Sequence, residues 1–265
     1  MLGAEDFLWR VARTDLTFIT GTAGSGKSLL TSALKNWYIN RGEDAIAVNL
    51  DPGVVNLPYE PEVDVRETID LQDIMTKYSL GPNGALILAA DMVATSMAKI
   101  QEDIDSFNAE YVIVDTPGQM ELFAYRESGA YIVQQMNADS KVLLFLLDPL
   151  LANTPVNFLS LALLSASVGL RLKLPKISVL TKRDLDIERT KTIIEWSKEA
   201  SVFEEALSKT RESEEYSLYS ELFRSIRKLA FGVDLYPVSS VTLDGMVALV
   251  GELTRMGRGG EEFTD

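Results

Sequence analysis

The chain has 265 residues, 46% of them hydrophobic, enough apolar content for a full core in one large domain or two small ones. Its 39 acidic against 25 basic side chains leave a net charge of −14, which argues against broad binding to a nucleic-acid backbone. There is no histidine and no cysteine. That excludes imidazole bases, Ser-His-Asp triads, thiol nucleophiles, disulfides and zinc ribbons, and leaves hard cations on oxygen ligands, Mg²⁺ first, as candidate metals.

In chain order, the N-terminus MLGAEDFLWR carries acids early and lacks a signal-peptide pattern. Short aliphatic or β-branched runs follow at Leu16–Thr20, Ala45–Leu50, Tyr111–Asp115, Val142–Asp148, Lys176–Thr181 and Leu235–Val238. Such unbroken runs suit strands buried on both faces, as in a parallel sheet. Helical patterns fill the gaps, as at Lys27–Arg41, Asn157–Gly169 and Gly245–Met256. The alternation predicts an α/β fold with a mostly parallel, doubly wound sheet in a single domain over 1–265.

Two helical insertions interrupt it. In the first, 54–110, Asp64–Tyr78 and Ala85–Phe107 read as helices. The second carries a stripe of Leu86, Val93, Met97, Ile100, Ile104 and Phe107, which either packs on its own sheet or forms part of a homodimer contact. The other insertion, 185–232, reads as two or three solvated helices forming a lid, anchored by Trp196, Phe203, Tyr216, Leu218 and Phe223. A flexible tail is expected over 257–265. The most apolar stretch, Val142–Leu151, is interrupted by Asp148 and Pro149 and is too short to cross a bilayer, so a cytoplasmic protein without membrane contact is expected.

After the first strand comes GTAGSGKS, a phosphate-binding loop in the strand-then-helix context it requires. Gly21, Thr22, Ala23, Gly24, Ser25 and Gly26 would turn backbone N–H groups onto the α- and β-phosphates, and Leu29 continues the helix whose positive end faces them. Lys27 would reach the β- and γ-phosphates, and the Ser28 hydroxyl would ligate Mg²⁺. The third strand ends in Asp115, an acid placed to hold that Mg²⁺. In Thr116-Pro117-Gly118-Gln119, the Gly118 N–H can report a γ-phosphate and Gln119 can orient the attacking water. The fifth strand runs into Thr181-Lys182-Arg183-Asp184. Asp184 can accept from guanine N1–H and its 2-amino group, donors that adenine does not present as a pair. Lys182 would lie along the base or brace the loop, and Ser239-Ser240 offers a backbone N–H to guanine O6.

These residues resemble the GPN-loop GTPases: GTAGSGKS, NLDPG (Asn49–Gly53), LPYEPEVDVRE (Leu57–Glu67), GPN (Gly81–Asn83), DTPGQMELF (Asp115–Phe123) and TKRD occur in that family's order. Thr181 stands where many members have Asn or Ser, NLDPG replaces the commoner NLDPA, and the long C-terminal extension of many eukaryotic members is absent, as in an archaeal-type or minimal form. The resemblance implies hydrolysis of GTP to GDP and phosphate with Mg²⁺, and a homodimer in which Asn83 reaches the partner's γ-phosphate and water. It also implies that Asp51 acts from switch I beside that water and the metal. RNA polymerase subunits or assembly factors would be the clients, reached through protein contacts and without direct nucleic-acid binding. An ATPase of the related dimeric P-loop class, or a nucleotide-switched scaffold with negligible turnover, are the alternatives. Arg66 and Arg126 follow motifs, but neither is assigned as an arginine finger.

Overall fold

The computed structural model of the chain describes residues 13–209, 213–228 and 234–257. All six apolar runs form strands: β1 (Asp15–Gly21), β2 (Ala45–Asn49), β4 (Tyr111–Asp115), β5 (Ser140–Leu147), β6 (Lys176–Leu180) and β7 (Leu235–Pro237). A two-residue β3 (Val63–Asp64) adds an edge. The order is β3-β2-β4-β1-β5-β6-β7, and every pairing is parallel. The chain therefore leaves the centre after β1, returns to pair β4 with it, then crosses to β5 on its other flank. The carboxyl ends of β4, β1 and β5 meet at this reversal, where a doubly wound sheet opens a crevice for ligand.

Both sheet faces are covered. Ile19, Ile113 and Leu144 point to one face, under α1 (Lys27–Ile39) and α11 (Met246–Gly257), which contribute Leu30, Leu34, Leu249 and Leu253. On the opposite face Phe18, Val114 and Phe145 meet a larger helical layer. This layer holds α2 (Leu71–Tyr78), α3 (Pro82–Thr95), α4 (Met97–Asp105), α5 (Met120–Ala124), α6 (Glu127–Gln135) and α7 (Pro155–Leu172). Full burial of side chains such as Phe18, Phe145 and Phe158 contributes about 1.5–3 kcal/mol each.

α7 has the length and apolar content to cross a membrane, which the sequence reading did not credit to any segment. Its apolar excess is explained by packing on two sides: Phe158, Leu159 and Val168 are buried, and the Phe158 ring meets Trp196, Phe203 and Phe223 at 6.2 Å each. Those rings belong to α8 (Ile187–Lys198), α9 (Ala200–Ser208) and α10 (Ser213–Lys228), the helices of the second insertion. Trp196, Phe203 and Phe223 are anchors as expected and Tyr216 packs at the edge of the core, but Leu218 is 55% exposed and anchors nothing. Residues 210–212 and 229–232 of that insertion lie outside the described residues, as do 258–265 of the expected tail. Gly257 itself closes α11, and its carbonyl accepts from Arg13.

The first insertion departs from expectation in two places. Asp64–Tyr78 is not one helix: β3 and a 3-10 turn (Val65–Glu67) precede α2. Asp64 accepts from the Arg66 N–H, and Asp70 caps α2 by accepting from the N–H groups of Gln72 and Asp73. Ala85–Phe107 is also divided, because Ser96 adopts non-helical backbone between α3 and α4. The Ser96 and Thr95 hydroxyls both donate to the carbonyl of Met92, which also takes the last helical bond from the Ser96 N–H, and these side-chain bonds compete with the helical ladder. The stripe packs on its own core: Val93, Met97, Ile100 and Ile104 are buried, Leu86 is half-buried and Phe107 is exposed.

Candidate nucleotide site

The phosphate loop is shaped by close approach and by left-handed backbone. A Cβ on Gly21 would lie 2.7 Å from the Leu146 carbonyl oxygen of β5, so only glycine lets β1 end there. Gly26, with φ of 93°, turns the chain into α1. Lys27 is buried, and its Nζ donates to the carbonyls of Gly21 (3.1 Å), Thr22 (3.0 Å) and Gly118 (3.1 Å). Burial lowers its pKa, against the opposing pull of Asp115, Asp51 and Glu121. The amine thus bridges the phosphate loop to the loop after β4.

Asp115 ends β4 beside Ile19 of β1 and Asn49 of β2, and only 2% of it is exposed. Burial pushes its carboxyl up to about 6, although the nearby Ser28 and Tyr59 hydroxyls and the Lys27 charge pull the other way. Tyr59 Oη donates to Oδ2 at 3.0 Å, while Oδ1 is buried with no hydrogen-bond partner. A bare carboxylate oxygen next to a serine hydroxyl is a hard, oxygen-only donor pair, which fits Mg²⁺ completed by water and phosphate oxygens. No cluster of three or more Asp or Glu that could hold a metal occurs among the described residues.

Asp51 sits opposite. Its Oδ2 accepts from the Gly118 N–H (2.7 Å) and its Oδ1 from the Gly53 N–H (2.8 Å). The amide read from sequence as the γ-phosphate reporter therefore carries a carboxylate in this structure. Asn49, wholly buried, places Asp51 by accepting its N–H (3.0 Å) and donating to its carbonyl (3.2 Å) and to Asp64 Oδ1 (2.9 Å). Arg66 is locked onto Asp64 and the Val54 carbonyl, and Arg126 pairs with Asp91 at 2.9 Å, so both arginines are structural here.

Ala23, Asp51, Gly118, Gln119 and Pro82 line one cavity of about 480 Å³. Gln119 is exposed there at the start of α5. The GPN tripeptide forms the start of α3, with Gly81 as N-cap and Pro82 at the first position, where its missing N–H has no helical partner to lose. Pro82 faces the cavity, while Asn83 is exposed and is not among its lining residues.

The base-side motif is tied to the phosphate loop. Thr181 Oγ1, buried, donates to the Ser25 carbonyl (2.9 Å) and contacts the Leu147 carbonyl (3.1 Å). Lys182 braces the loop: Nζ reaches the Gly24 carbonyl (2.8 Å) and Asp148 Oδ2 (2.7 Å), from a residue with φ of 55°. Asp184 is exposed. Ser239 is buried; its hydroxyl accepts from Val241 and Thr242, and its N–H donates to the Asp244 carbonyl, so the O6 donor would have to come from Ser240 or beyond. An Arg183–Asp244 ion pair (3.0 Å) fastens the two loops together.

Sequence reasoning gave no role to Tyr59, Asn49 or Asp148. Asp148 had a usable signal, an acid at the carboxyl end of a predicted strand, while Tyr59 and Asn49 lay inside quoted motifs.

A family model described as "Conserved hypothetical ATP binding protein" matches residues 19–256. GPN-loop GTPase 1 of Dictyostelium discoideum is 32% identical over 193 residues, 72% of this chain and 48% of that protein. GPN-loop GTPase QQT2 of Arabidopsis thaliana is 30% identical over 237 residues, 86% of this chain and 61% of that protein. The chain thus spans about half to three-fifths of the length of these relatives. The crystal structure of a GTPase in apo form from Pyrococcus abyssi superposes with a TM-score of 0.81 at 27% identity, over 92% of this chain and 98% of that one. With the family model matched over most of the chain and these likenesses beside it, the chain belongs to the GPN-loop GTPase family.

Proposed function

We propose that this protein binds GTP with Mg²⁺ and hydrolyses it to GDP and phosphate by in-line attack of water. The observation that carries the reading is the arrangement of Lys27, Asp51, Gly118 and Gln119 on one side of the phosphate loop, with Thr181 and Lys182 braced on its other side. Phosphates, water and base would then lie in one line across the carboxyl ends of the strands. Gly21–Ser28 and Lys27 would hold the phosphates. Ser28 and Asp115, with Asp51 nearby, would hold Mg²⁺, which when bound neutralises phosphate charge. Asp51 and Gln119 would orient the water, whose oxygen bonds to the γ-phosphorus as the bond to the β–γ bridging oxygen breaks and that oxygen leaves on GDP; one water proton stays on the new phosphate hydroxyl and the other passes to phosphate or solvent. Without histidine, this positioning rests on carboxylate and amide groups.

The base is the point at which GTP and ATP readings separate, since the family model's description names ATP while the relatives' names say GTPase. Asp184 favours guanine because a carboxylate offers two acceptors to N1–H and the 2-amino group. Asp184→Asn should weaken GTP and favour the xanthosine nucleotide; unchanged preference for GTP would remove Asp184 from the base site.

We extend the reading to a dimeric nucleotide switch, with Asn83 acting across the dimer, and to a role in assembling a protein complex such as RNA polymerase. Family membership and the position of GPN at an exposed helix start support it. Pull-down of client in the GTP and GDP states, beside single-turnover hydrolysis, tests it: fast turnover with no nucleotide-dependent client would contradict the switch.

A further inference from the structure

Tyr59, in the LPYEPE stretch, reaches Asp115 of the site, and the hydrolysis scheme does not use it. The residues around it are fixed. The Pro58 carbonyl accepts from Ser32 Oγ (3.2 Å) and the Glu60 carbonyl from Lys35 Nζ (2.7 Å), both on α1. The Glu62 carboxylate pairs with Lys35 and accepts the Ala47 N–H of β2 (2.8 Å). The segment is thereby strapped across α1 and β2, and Tyr59 projects inward as a fixed donor, its Oη 3.0 Å from Asp115 Oδ2. The other oxygen of that carboxylate, Oδ1, is the buried atom without a hydrogen-bond partner. One oxygen is pinned, so the rotation of the carboxylate is set, and the bare oxygen is the one left for a ligand.

We propose that Tyr59 is a positioning residue for the divalent cation: it holds Asp115 so that Oδ1 faces the metal or its bound water. This rests on the reading of the site as one for a Mg²⁺-nucleotide complex. Hydrogen-bond partners of a metal-binding carboxylate set its orientation, and losing one weakens metal binding by about 10–100-fold.

The test is Tyr59→Phe, which keeps the ring and removes only the hydroxyl. Affinity for a fluorescent GDP analogue is measured against Mg²⁺ concentration, with an EDTA series as the metal-free limit. The Mg²⁺ concentration for half-maximal tightening should rise about 10–100-fold, metal-free affinity should be unchanged, and saturating Mg²⁺ should restore the wild-type value. An unchanged or lower Mg²⁺ midpoint overturns the proposal. So does an equal loss of affinity in EDTA, which would make Tyr59 scaffolding alone. If the wild-type protein itself binds nucleotide with no dependence on Mg²⁺, the underlying reading of the site fails, and that outcome is seen in the wild-type curve before the variant is compared.

Discussion

Thr181→Val removes one hydroxyl from the tie between the base-side loop and the phosphate loop at nearly constant volume. Thr181 is 3% exposed, and its Oγ1 is 2.9 Å from the carbonyl of the wholly buried Ser25. The Leu147 carbonyl keeps a donor in the variant, because the Thr181 N–H already reaches it at 3.0 Å. The loss therefore falls on Ser25. A buried carbonyl deprived of its donor costs about 1–3 kcal/mol, and the added methyl offsets part of that, so about 1–2 kcal/mol of destabilisation is expected. For a chain of this size that lowers Tm by roughly 2–8 °C. Because the bond joins two parts of the protein itself, the loss should register in its thermal stability. Affinity should also fall, by about fivefold if 1 kcal/mol of loop ordering passes to the binding step. Thermal melts with and without GDP, for the wild type, Thr181→Val and Thr181→Ser, measure both; the serine variant keeps the hydroxyl and should recover most of the loss. A valine variant that melts with the wild type, or a serine variant as unstable as the valine one, would refute the reasoning.

Other outcomes follow from the same geometry. A chain carrying Asn83→Ala should lose turnover while keeping GDP affinity, and mixing it with a Lys27→Ala chain should restore turnover if Asn83 acts across the dimer; no recovery after subunit exchange has been verified would place the loop in cis. Lys176, whose Nζ donates to Ser165 Oγ at 2.6 Å, is pushed down to about 8 by burial, below its ordinary 10.5. The unfolded chain then binds more protons between those values, so stability should rise with pH from about 8 to 10.5. Lys176→Met should lack that rise, and urea midpoints at pH 7.5 and 10 check it; parallel pH profiles for the two proteins would contradict it.

The sheet was legible because its strands are buried on both faces, and such strands appear as unbroken apolar runs like Val142–Leu147. The phosphate loop, Asp115 and the TKRD loop were legible because each is local: a few consecutive residues at a strand's end. What escaped was set by contacts remote in sequence or by single side chains. β3 is two residues long and exists through its pairing with Val48 and Asn49, which no periodicity announces. The break at Ser96 depends on which hydroxyls turn back onto the Met92 carbonyl. Tyr59 meets Asp115 across 56 positions and Asp51 meets Gly118 across 67, so neither contact could be read from spacing. Leu218 illustrates the opposite error, an apolar side chain on a helix that faces solvent.

The central claim is a phosphate loop paired with a guanine-reading carboxylate, and direct competition between GTP and ATP for the wild-type protein in Mg²⁺ tests it most directly. A site built to accept two hydrogen bonds from guanine should favour GTP by a factor on the order of 10³ or more. Comparable affinities, or tighter binding of ATP, would contradict the account.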